Sequence, residues 1–103
     1  MEKALLTQKI NDLKICVLIP TYNNERTLER VISGVLSYTP NVIVINDGAT
    51  DSTPQILEKF NTVHQIHLPK NRGKGNALRV GFREAYKLGY QYVITIDSDG
   101  QHF

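Results

Sequence analysis

Residues Lys14 to Pro20 read KICVLIP, a short apolar run from which the rest of the chain can be laid out. The run is rich in apolar and β-branched side chains and closes on a proline, a pattern typical of a strand buried on both faces of a sheet. Its cysteine, Cys16, is the only cysteine in the sequence, so we expect a buried thiol without an intramolecular disulfide, as in a reducing compartment. The run therefore predicts the first strand of a buried sheet.

Apolar periodicity on the C-terminal side of this run predicts helices and strands in strict alternation. The predicted helices span about Asn24 to Tyr38, Pro54 to Phe60, and the stretch from the Asn71–Asn76 loop to a stop at Gly89; the predicted strands span Asn41–Asn46, Val63–Leu68 and Tyr92–Ile96. The last helix is expected to pack through one face, formed by Ala77, Leu78, Gly81, Ala85 and Leu88. Right-handed crossovers between such elements give a doubly wound α/β domain with a mostly parallel sheet.

Length and composition bound the classes of function. The 103 residues fit one domain at most, and a hydrophobic content of 41% is enough for a single core. The 12 basic and 10 acidic residues are mixed along the chain, which predicts no nucleic-acid-binding surface. No apolar segment has the length of a signal peptide core or of a membrane span, so we expect a cytoplasmic protein whose membrane contact, if it has any, is peripheral and made through missing parts.

Polar clusters follow the first, second and fourth predicted strands, at Thr21 to Glu25, Asp47 to Asp51 and Asp97 to Gln101. In doubly wound sheets ligands bind outside the carboxyl ends of the strands, so these clusters are expected to converge. Asp97 and Asp99 lie two positions apart past a buried strand, where both carboxylates can reach one hard cation and a diphosphate bound to it. The alternative is that one carboxylate caps a turn while the other is solvated.

Other side chains are candidates for a nucleotide site, each with a structural alternative. Asp47 can accept hydrogen bonds from a nucleobase, although Asp-Gly is also a common turn. Tyr22 offers a ring for base stacking, or it covers the edge of the core. Arg72 and Lys74, at a helix N-terminus, can neutralise a diphosphate or form a solvated basic turn.

The glycines and histidines exclude several other sites. Gly73 and Gly75 match neither the phosphate-binding loop of P-loop ATPases nor the dinucleotide-binding fingerprint, so both classes are disfavoured. The histidines at 64, 67 and 102 lack metal-ligand spacing, and we expect His64 and His67 to be structural.

Four motifs, in order along the chain, resemble those of family 2 glycosyltransferases of the GT-A fold. They are Ile19-Pro20-Thr21-Tyr22-Asn23-Asn24-Glu25, Asn46-Asp47-Gly48-Ala49-Thr50-Asp51-Ser52-Thr53, Asn71-Arg72-Gly73-Lys74-Gly75-Asn76-Ala77 and Asp97-Ser98-Asp99-Gly100-Gln101-His102. They cover nearly the whole chain, and the last one is most similar to the branch that includes dolichyl-phosphate mannosyl- and glucosyltransferases. The resemblance implies an α/β fold of the nucleotide-diphospho-sugar transferase type, truncated after the fourth strand.

The resemblance also implies the roles of individual residues. The nucleoside would be surrounded by Pro20, Tyr22, Ile45 and Asp47, and Ser98 would pack by the ribose or the sugar. The whole nucleotide-sugar site would comprise Pro20, Thr21, Tyr22, Asn23, Glu25, Ile45, Asp47, Arg72, Lys74, Asp97, Ser98 and Asp99.

A divalent cation is part of the same expectation. Asp97 and Asp99, the implied catalytic pair, would bind Mg²⁺ or Mn²⁺, with Gln101 in the metal shell. Two departures from the family pattern stand out, because Asn24 replaces a usual acidic residue and Asn46-Asp47-Gly48-Ala49 replaces Asp-Asp-Gly-Ser. Contacts to the base are therefore expected to be shifted or weakened.

The implied activity is transfer of a sugar from a UDP- or GDP-linked donor to an acceptor such as polyprenyl phosphate, with inversion at the anomeric carbon. Family members continue well beyond the D-x-D motif, so residues 1–103 would be the N-terminal, nucleotide-sugar-binding part of the domain, with the acceptor-binding part absent. The uncovered edge of the fourth strand would then favour self-association. The alternatives are a non-catalytic nucleotide-sugar-binding module and, more weakly, a nucleotidyltransferase, since Thr21 to Glu25 lacks the glycine-rich basic loop of that class.

Overall fold

A computed structural model describes residues 2–99 of the chain, as eight helices and strands around one sheet. In chain order they are α1 (Glu2–Asp12), β1 (Ile15–Thr21), α2 (Leu28–Leu36), β2 (Val42–Asn46), α3 (Thr53–Glu58), β3 (His64–His67), α4 (Lys74–Lys87) and β4 (Tyr92–Thr95). The sheet has the strand order β3-β2-β1-β4, and every pairing is parallel. The predicted fold class, a doubly wound α/β domain with a mostly parallel sheet, is confirmed.

The core lies on both faces of the two central strands, β1 and β2. Side chains alternate along a strand, so odd and even positions of β1 enter different clusters. Val17 and Ile19 pack with α2 and α3 on one face, while Cys16 and Leu18 pack with α4 on the other. Cys16 has no solvent exposure, and this burial raises the pKa of its thiol to about 11. The prediction of a strand buried on both faces is confirmed.

Helix α4 approaches β1 closely because it carries a glycine at the contact. A Cβ added to Gly81 would lie 2.4 Å from Leu18 Cδ1 and 2.6 Å from Leu18 Cδ2. Leu18 is itself fully buried, and a side chain of this type contributes about 1.5–3 kcal/mol when it leaves water. The contact fixes α4 against the sheet, and so it fixes where the N-terminus of α4 meets the carboxyl ends of the strands.

One unpredicted helix and two details of predicted helices are the main differences from the sequence-based expectation. The first helix, α1, was not expected, because its buried residue is Ile10 alone and its sequence shows no apolar stripe. Helix α2 begins at Leu28 rather than near Asn24, since the residues before it form turns with their own hydrogen bonds. Leu88, expected on the packed face of α4, ends the helix as its C-cap and is 48% exposed.

The two outer strands are more exposed than the central pair. On β4, Tyr92 is 58% exposed and Ile94 is 48% exposed, which matches the expectation of uncovered apolar surface at this edge. Self-association through the edge stays a prediction. Across residues 2–99, no helix combines the length and the apolar character needed to cross a membrane.

Candidate functional site

The segments that follow β1, β2 and β4 meet at one edge of the sheet, as their parallel register requires. Thr21 pairs with Asn46 at the ends of β1 and β2, and the backbone N–H of Asp47 donates to Thr21 O at 2.9 Å. On the other side of β1, the Ile96 N–H donates to Leu18 O at 3.0 Å, which brings the residues after β4 alongside. The convergence predicted from the strand order is present.

A cleft of about 340 Å³ opens where these segments meet. Its lining comes from all three segments and from the start of α4: Pro20, Thr21, Tyr22, Asn24, Asp47, Asn71, Gly73, Lys74, Ala77, Asp97, Ser98 and Asp99. The position is the one where ligands bind in open α/β sheets, outside the carboxyl ends of the strands.

Ser98 anchors the segment after β4 to the segment after β1. Its hydroxyl lies 2.6 Å from Asn24 Oδ1 and 3.2 Å from Pro20 O, so its single proton is held between two acceptors. Its carbonyl accepts a hydrogen bond from the Thr27 hydroxyl. Ser98 is only 3% exposed, and these contacts tie the backbone between Asp97 and Asp99 to the segment after β1.

Asp97 and Asp99 both face the cleft, and Asp97 has a basic partner there. The Lys74 ammonium, at the first position of α4, donates to Asp97 Oδ1. The side chains of Lys74 and Asp97 are 59% and 29% exposed, so this ion pair is in contact with solvent.

The carboxylates suit a divalent cation that is shared with a ligand. Within residues 2–99, no three His, Cys, Asp or Glu side chains are grouped so as to hold a metal by themselves. Mg²⁺ in nucleotide sites is typically held by one or two carboxylates together with phosphate oxygens, and Mn²⁺ also prefers oxygen ligands. Asp97 and Asp99 on one cleft therefore fit such an ion, and Gln101, expected in the same shell, lies outside the described residues.

Asp47 holds the loop that leads into α4. Its Oδ1 accepts the Arg72 N–H at 3.0 Å, and its Oδ2 accepts the Gly73 N–H and the Asn71 side-chain amide, both at 3.0 Å. The side chain is 2% exposed, so these charge-assisted bonds form in a largely dry environment. A carboxylate offers about four acceptor positions, which leaves room for one further donor, such as a base N–H.

The turn after β2 contains a glycine where it meets the loop that leads into α4. Gly48 has φ +69°, and a Cβ there would come within 2.3 Å of Asn71 N and of Lys70 C. The neighbouring Asn46 uses both ends of its side-chain amide, because its oxygen accepts the Ala49 N–H at 3.0 Å and its nitrogen lies 3.0 Å from His67 Nδ1. Because Gly48 has no side chain, the backbone of this turn contacts the backbone of Lys70 and Asn71 directly.

A reciprocal set of hydrogen bonds joins the segments after β1 and β2. Asn23 Oδ1 accepts the Thr50 N–H at 2.8 Å, and Asn23 adopts a left-handed φ of 52°. The Glu25 N–H donates to Asp51 Oδ2 at 3.2 Å, while Glu25 Oε2 accepts the Ser52 N–H at 3.1 Å. We call the residues 23–25 and 50–52 the loop clasp, and it fixes one wall of the cleft.

Asp51 is held in its ionised form within this clasp. Partial burial on its own would raise the pKa of its carboxyl, but hydrogen bonds from Thr53 and Glu25 outweigh the burial and lower the pKa below its usual value. The Thr53 N–H lies 2.9 Å from Asp51 Oδ1, at the start of α3. A carboxylate placed there also complements the positive end of the helix dipole.

The structure brings together only part of the predicted nucleotide-sugar set. The residues that line the cleft are Pro20, Thr21, Tyr22, Asp47, Lys74, Asp97, Ser98 and Asp99. Asn23 and Glu25 belong to the loop clasp and border a second cavity of about 250 Å³, which Asp99 also borders. Ile45 is completely buried in the core, and Arg72 contributes its backbone N–H to Asp47, so neither side chain lines the main cleft.

Several lining residues were not selected from the sequence. They are Asn24, Asn71, Gly73 and Ala77. Asn24 and Asn71 lie inside the motifs, and the available signal was their small amide side chains in loops next to charged residues. The expected structural histidines pair with neighbours, His64 with Glu84 at 2.7 Å and His67 with Gln65 at 3.0 Å, away from the lining.

An α/β domain with an acidic cleft at the carboxyl ends of its parallel strands belongs to a broad class of proteins, many of which bind nucleotides there. Comparison with known families narrows this class, because residues 16–103 match the family described as "Glycosyl transferase family 2". The match covers most of the chain, and the chain belongs to this family.

Individual relatives agree with this assignment. The chain is 31% identical to a UDP-N-acetylglucosamine–dolichyl-phosphate N-acetylglucosaminyltransferase of Methanococcus voltae, over 88% of this chain and 43% of the relative. It is 37% identical to a poly-β-1,6-N-acetyl-D-glucosamine synthase of Staphylococcus epidermidis, over 82% of this chain and 21% of the relative. The chain thus spans less than half the length of these curated relatives.

Solved structures show the same fold. Glucosyl-3-phosphoglycerate synthase of Mycobacterium tuberculosis, in complex with UDP, superposes with a TM-score of 0.72 at 26% identity, over 93% of this chain and 37% of that one. The same enzyme in complex with Mn²⁺, UDP and glucosyl-3-phosphoglycerate gives a TM-score of 0.71 at 25% identity. The GT-A type of α/β fold that the motifs implied is therefore confirmed.

Proposed function

We propose that this chain is the donor-binding part of a sugar transferase that takes its sugar from a nucleotide-diphosphate donor. The observation that carries the proposal is the shared cleft, which places Asp97 and Asp99 together with an aromatic ring, Tyr22, and a basic side chain, Lys74. Such a cleft offers separate surfaces for a base, a diphosphate and a cation. In this proposal residues 1–103 form the N-terminal part of the transferase domain, and the acceptor site lies in other parts of a longer protein.

The donor we favour carries UDP. Support comes from the M. tuberculosis neighbour, which is described in complex with UDP, and from the M. voltae relative, whose name specifies UDP-N-acetylglucosamine. Tyr22 is 43% exposed at the rim of the cleft, where its ring is available for stacking on a planar base. The remaining acceptor position of Asp47 suits the N–H of a pyrimidine imide. A GDP-linked donor is the alternative that the binding experiment below distinguishes.

The diphosphate would lie between the start of α4 and the residues after β4. Lys74 places its ammonium there, and the N-terminal end of the 14-residue helix α4 adds a partial positive charge that favours anions. Asp97 and Asp99 would hold Mg²⁺ or Mn²⁺, which when bound stabilises the negative charge that develops on the departing nucleoside diphosphate. The hydrogen bonds of Ser98 to Pro20 O and Asn24 Oδ1 tie the backbone between the two aspartates to the segment after β1.

The acceptor we propose is a polyprenyl phosphate. The M. voltae relative, named for transfer to dolichyl phosphate, supports this choice. A phosphate monoester has a second pKa of about 6, so it is largely ionised near neutral pH and needs little help from a general base. Attack from the face opposite the leaving diphosphate inverts the anomeric carbon, and this arrangement leaves the cleft residues to bind the leaving group.

A second candidate function is a nucleotide-sugar-binding module without transferase activity. The specific observation in its favour is the cleft itself, because its aromatic ring, ammonium and two carboxylates suit a donor whether or not a sugar is then transferred. Both candidates bind the same donor, so binding tests the shared part of the proposal, and sugar transfer in the presence of an acceptor separates them.

The test is isothermal titration calorimetry of the full 103-residue chain with UDP, UDP-N-acetylglucosamine, UDP-glucose and GDP-mannose, with and without Mn²⁺. We expect Mn²⁺-dependent binding of the uridine ligands, and loss of at least tenfold in affinity in Asp99→Asn, about 1.4 kcal/mol. Asp12→Asn, on the exposed part of α1, is the matched control and should bind as the wild type does. If none of the four nucleotides binds in the presence of Mn²⁺, the proposal is wrong.

A further inference from the structure

We propose that Lys74 is an exchangeable counter-ion, which neutralises Asp97 before the donor binds and moves to the donor diphosphate when the metal and donor bind. The inference rests on the proposed function and concerns the order and linkage of binding, not the identity of the ligand. The ammonium of Lys74 donates a hydrogen bond to Asp97 Oδ1. That oxygen belongs to one of the two carboxylates that would hold the cation.

The position of Lys74 makes the exchange possible. Lys74 is the first residue of α4, its side chain is 59% exposed, and it lies on the same cleft as Asp97 and Asp99. A lysine has a flexible stem and a compact charge, so its ammonium can change partner while the backbone of the helix stays in place. The close contact of Gly81 with Leu18 holds that backbone against the sheet.

Charge then links the two ligands. Without a diphosphate, a divalent cation has to displace the ammonium from Asp97 and to tolerate a positive charge nearby. With a diphosphate present, the ammonium gains a new anionic partner and releases Asp97 to the cation. Each ligand therefore tightens the binding of the other, and by thermodynamic necessity the two effects are equal in size.

The size of the effect follows from the exposure of the ion pair. Solvent-exposed pairs contribute about 0–1 kcal/mol, which corresponds to at most about fivefold in affinity. Removing the positive charge itself adds a further Coulomb gain for the cation. We therefore expect Lys74→Met to bind Mn²⁺ alone about five- to tenfold more tightly than the wild type does, and to bind UDP more weakly at saturating Mn²⁺.

The experiment measures free Mn²⁺ by electron paramagnetic resonance during titration of the full chain, at high protein concentration, with and without UDP. The variants are Lys74→Met, Lys74→Arg and the control Lys87→Met, whose lysine lies at the other end of α4, about 20 Å away at 1.5 Å per residue. We expect Lys74→Arg and Lys87→Met to match the wild type within about twofold. Lys74→Met should show tighter Mn²⁺ binding alone and a smaller tightening by UDP.

Two results overturn the inference in distinguishable ways. If the wild type binds Mn²⁺ and UDP but Lys74→Met has unchanged or weaker affinity for Mn²⁺ alone, Lys74 is not a counter-ion of the metal site, and the proposed function stands. If the wild type binds neither ligand, the proposed function fails and the inference fails with it. Thermal unfolding of each variant checks that the exposed substitutions leave the fold intact.

Discussion

Asp47→Asn is expected to loosen the loop that forms one wall of the cleft, and the hydrogen bonds of Asp47 set the magnitude. The new side-chain oxygen can keep the bonds from Gly73 N and Asn71 Nδ2, but the new NH₂ group then faces the Arg72 N–H. One charge-assisted bond, worth about 1.5–3 kcal/mol, is lost, and the other bonds become neutral and weaker. Relief of the buried charge offsets part of this loss. We expect a net destabilisation of about 2–3 kcal/mol.

Urea denaturation followed by circular dichroism measures this change, and thermal unfolding gives a second estimate. For a domain of this size, the loss corresponds to a decrease in Tm of about 10–20 °C. Asp12→Asn, at an exposed position of α1, should change stability by less than about 0.5 kcal/mol. If Asp47→Asn also stays within about 0.5 kcal/mol, then Asp47 does not anchor the loop. Loss of UDP binding at unchanged stability would instead assign Asp47 to the base alone.

Two further predictions concern the loops around the cleft. Gly48→Ala should destabilise the fold by more than about 2 kcal/mol, because a left-handed φ costs about 1–2 kcal/mol and the new Cβ would lie 2.3 Å from Asn71 N. Urea denaturation measures this change, with Gly34→Ala as the control, because nothing lies within 4 Å of a Cβ built on Gly34. Equal effects of the two substitutions would contradict the prediction. The lowered pKa of Asp51 stabilises the fold above the usual carboxyl pKa, and this stabilisation should disappear as the pH falls through the folded-state pKa. The difference in stability between wild type and Asp51→Asn should therefore shrink as the pH falls, and a constant difference from pH 7 down to about pH 2 would refute the assignment.

The strands could be predicted closely because short apolar runs mark them in the sequence. The apolar run from Lys14 to Pro20 corresponds to β1 within about one residue at each end, and the other predicted strands agree to a similar degree. Helix α1 was not predicted because Ile10 is its single buried residue. Polar contacts also hold it to the domain, including a hydrogen bond from Thr7 to the Tyr38 carbonyl. Such contacts leave no periodic signal in a sequence.

The same reasoning explains what was missed in the site. A carboxylate that follows a strand, such as Asp97, can be placed from the strand order alone, because parallel strands end at one edge. The loop clasp could not be foreseen, since it joins Asn23 to Thr50 and Glu25 to Asp51 through side-chain contacts with backbone groups far away in sequence. Whether the loop residues touch the donor stays a prediction.

The contact between Ser98 and Pro20 also bears on how the chain folds. It joins residues 78 positions apart, and it depends on β4 docking beside the central strand β1. Closing a loop of this length costs more entropy than a local turn does, and proteins rich in such contacts fold more slowly. Pairing of β1 with β2 alone does not bring Asp97 and Asp99 to this edge, since both residues follow β4. We therefore expect ligand binding at this edge to require the docking of β4, and not only the pairing of β1 with β2.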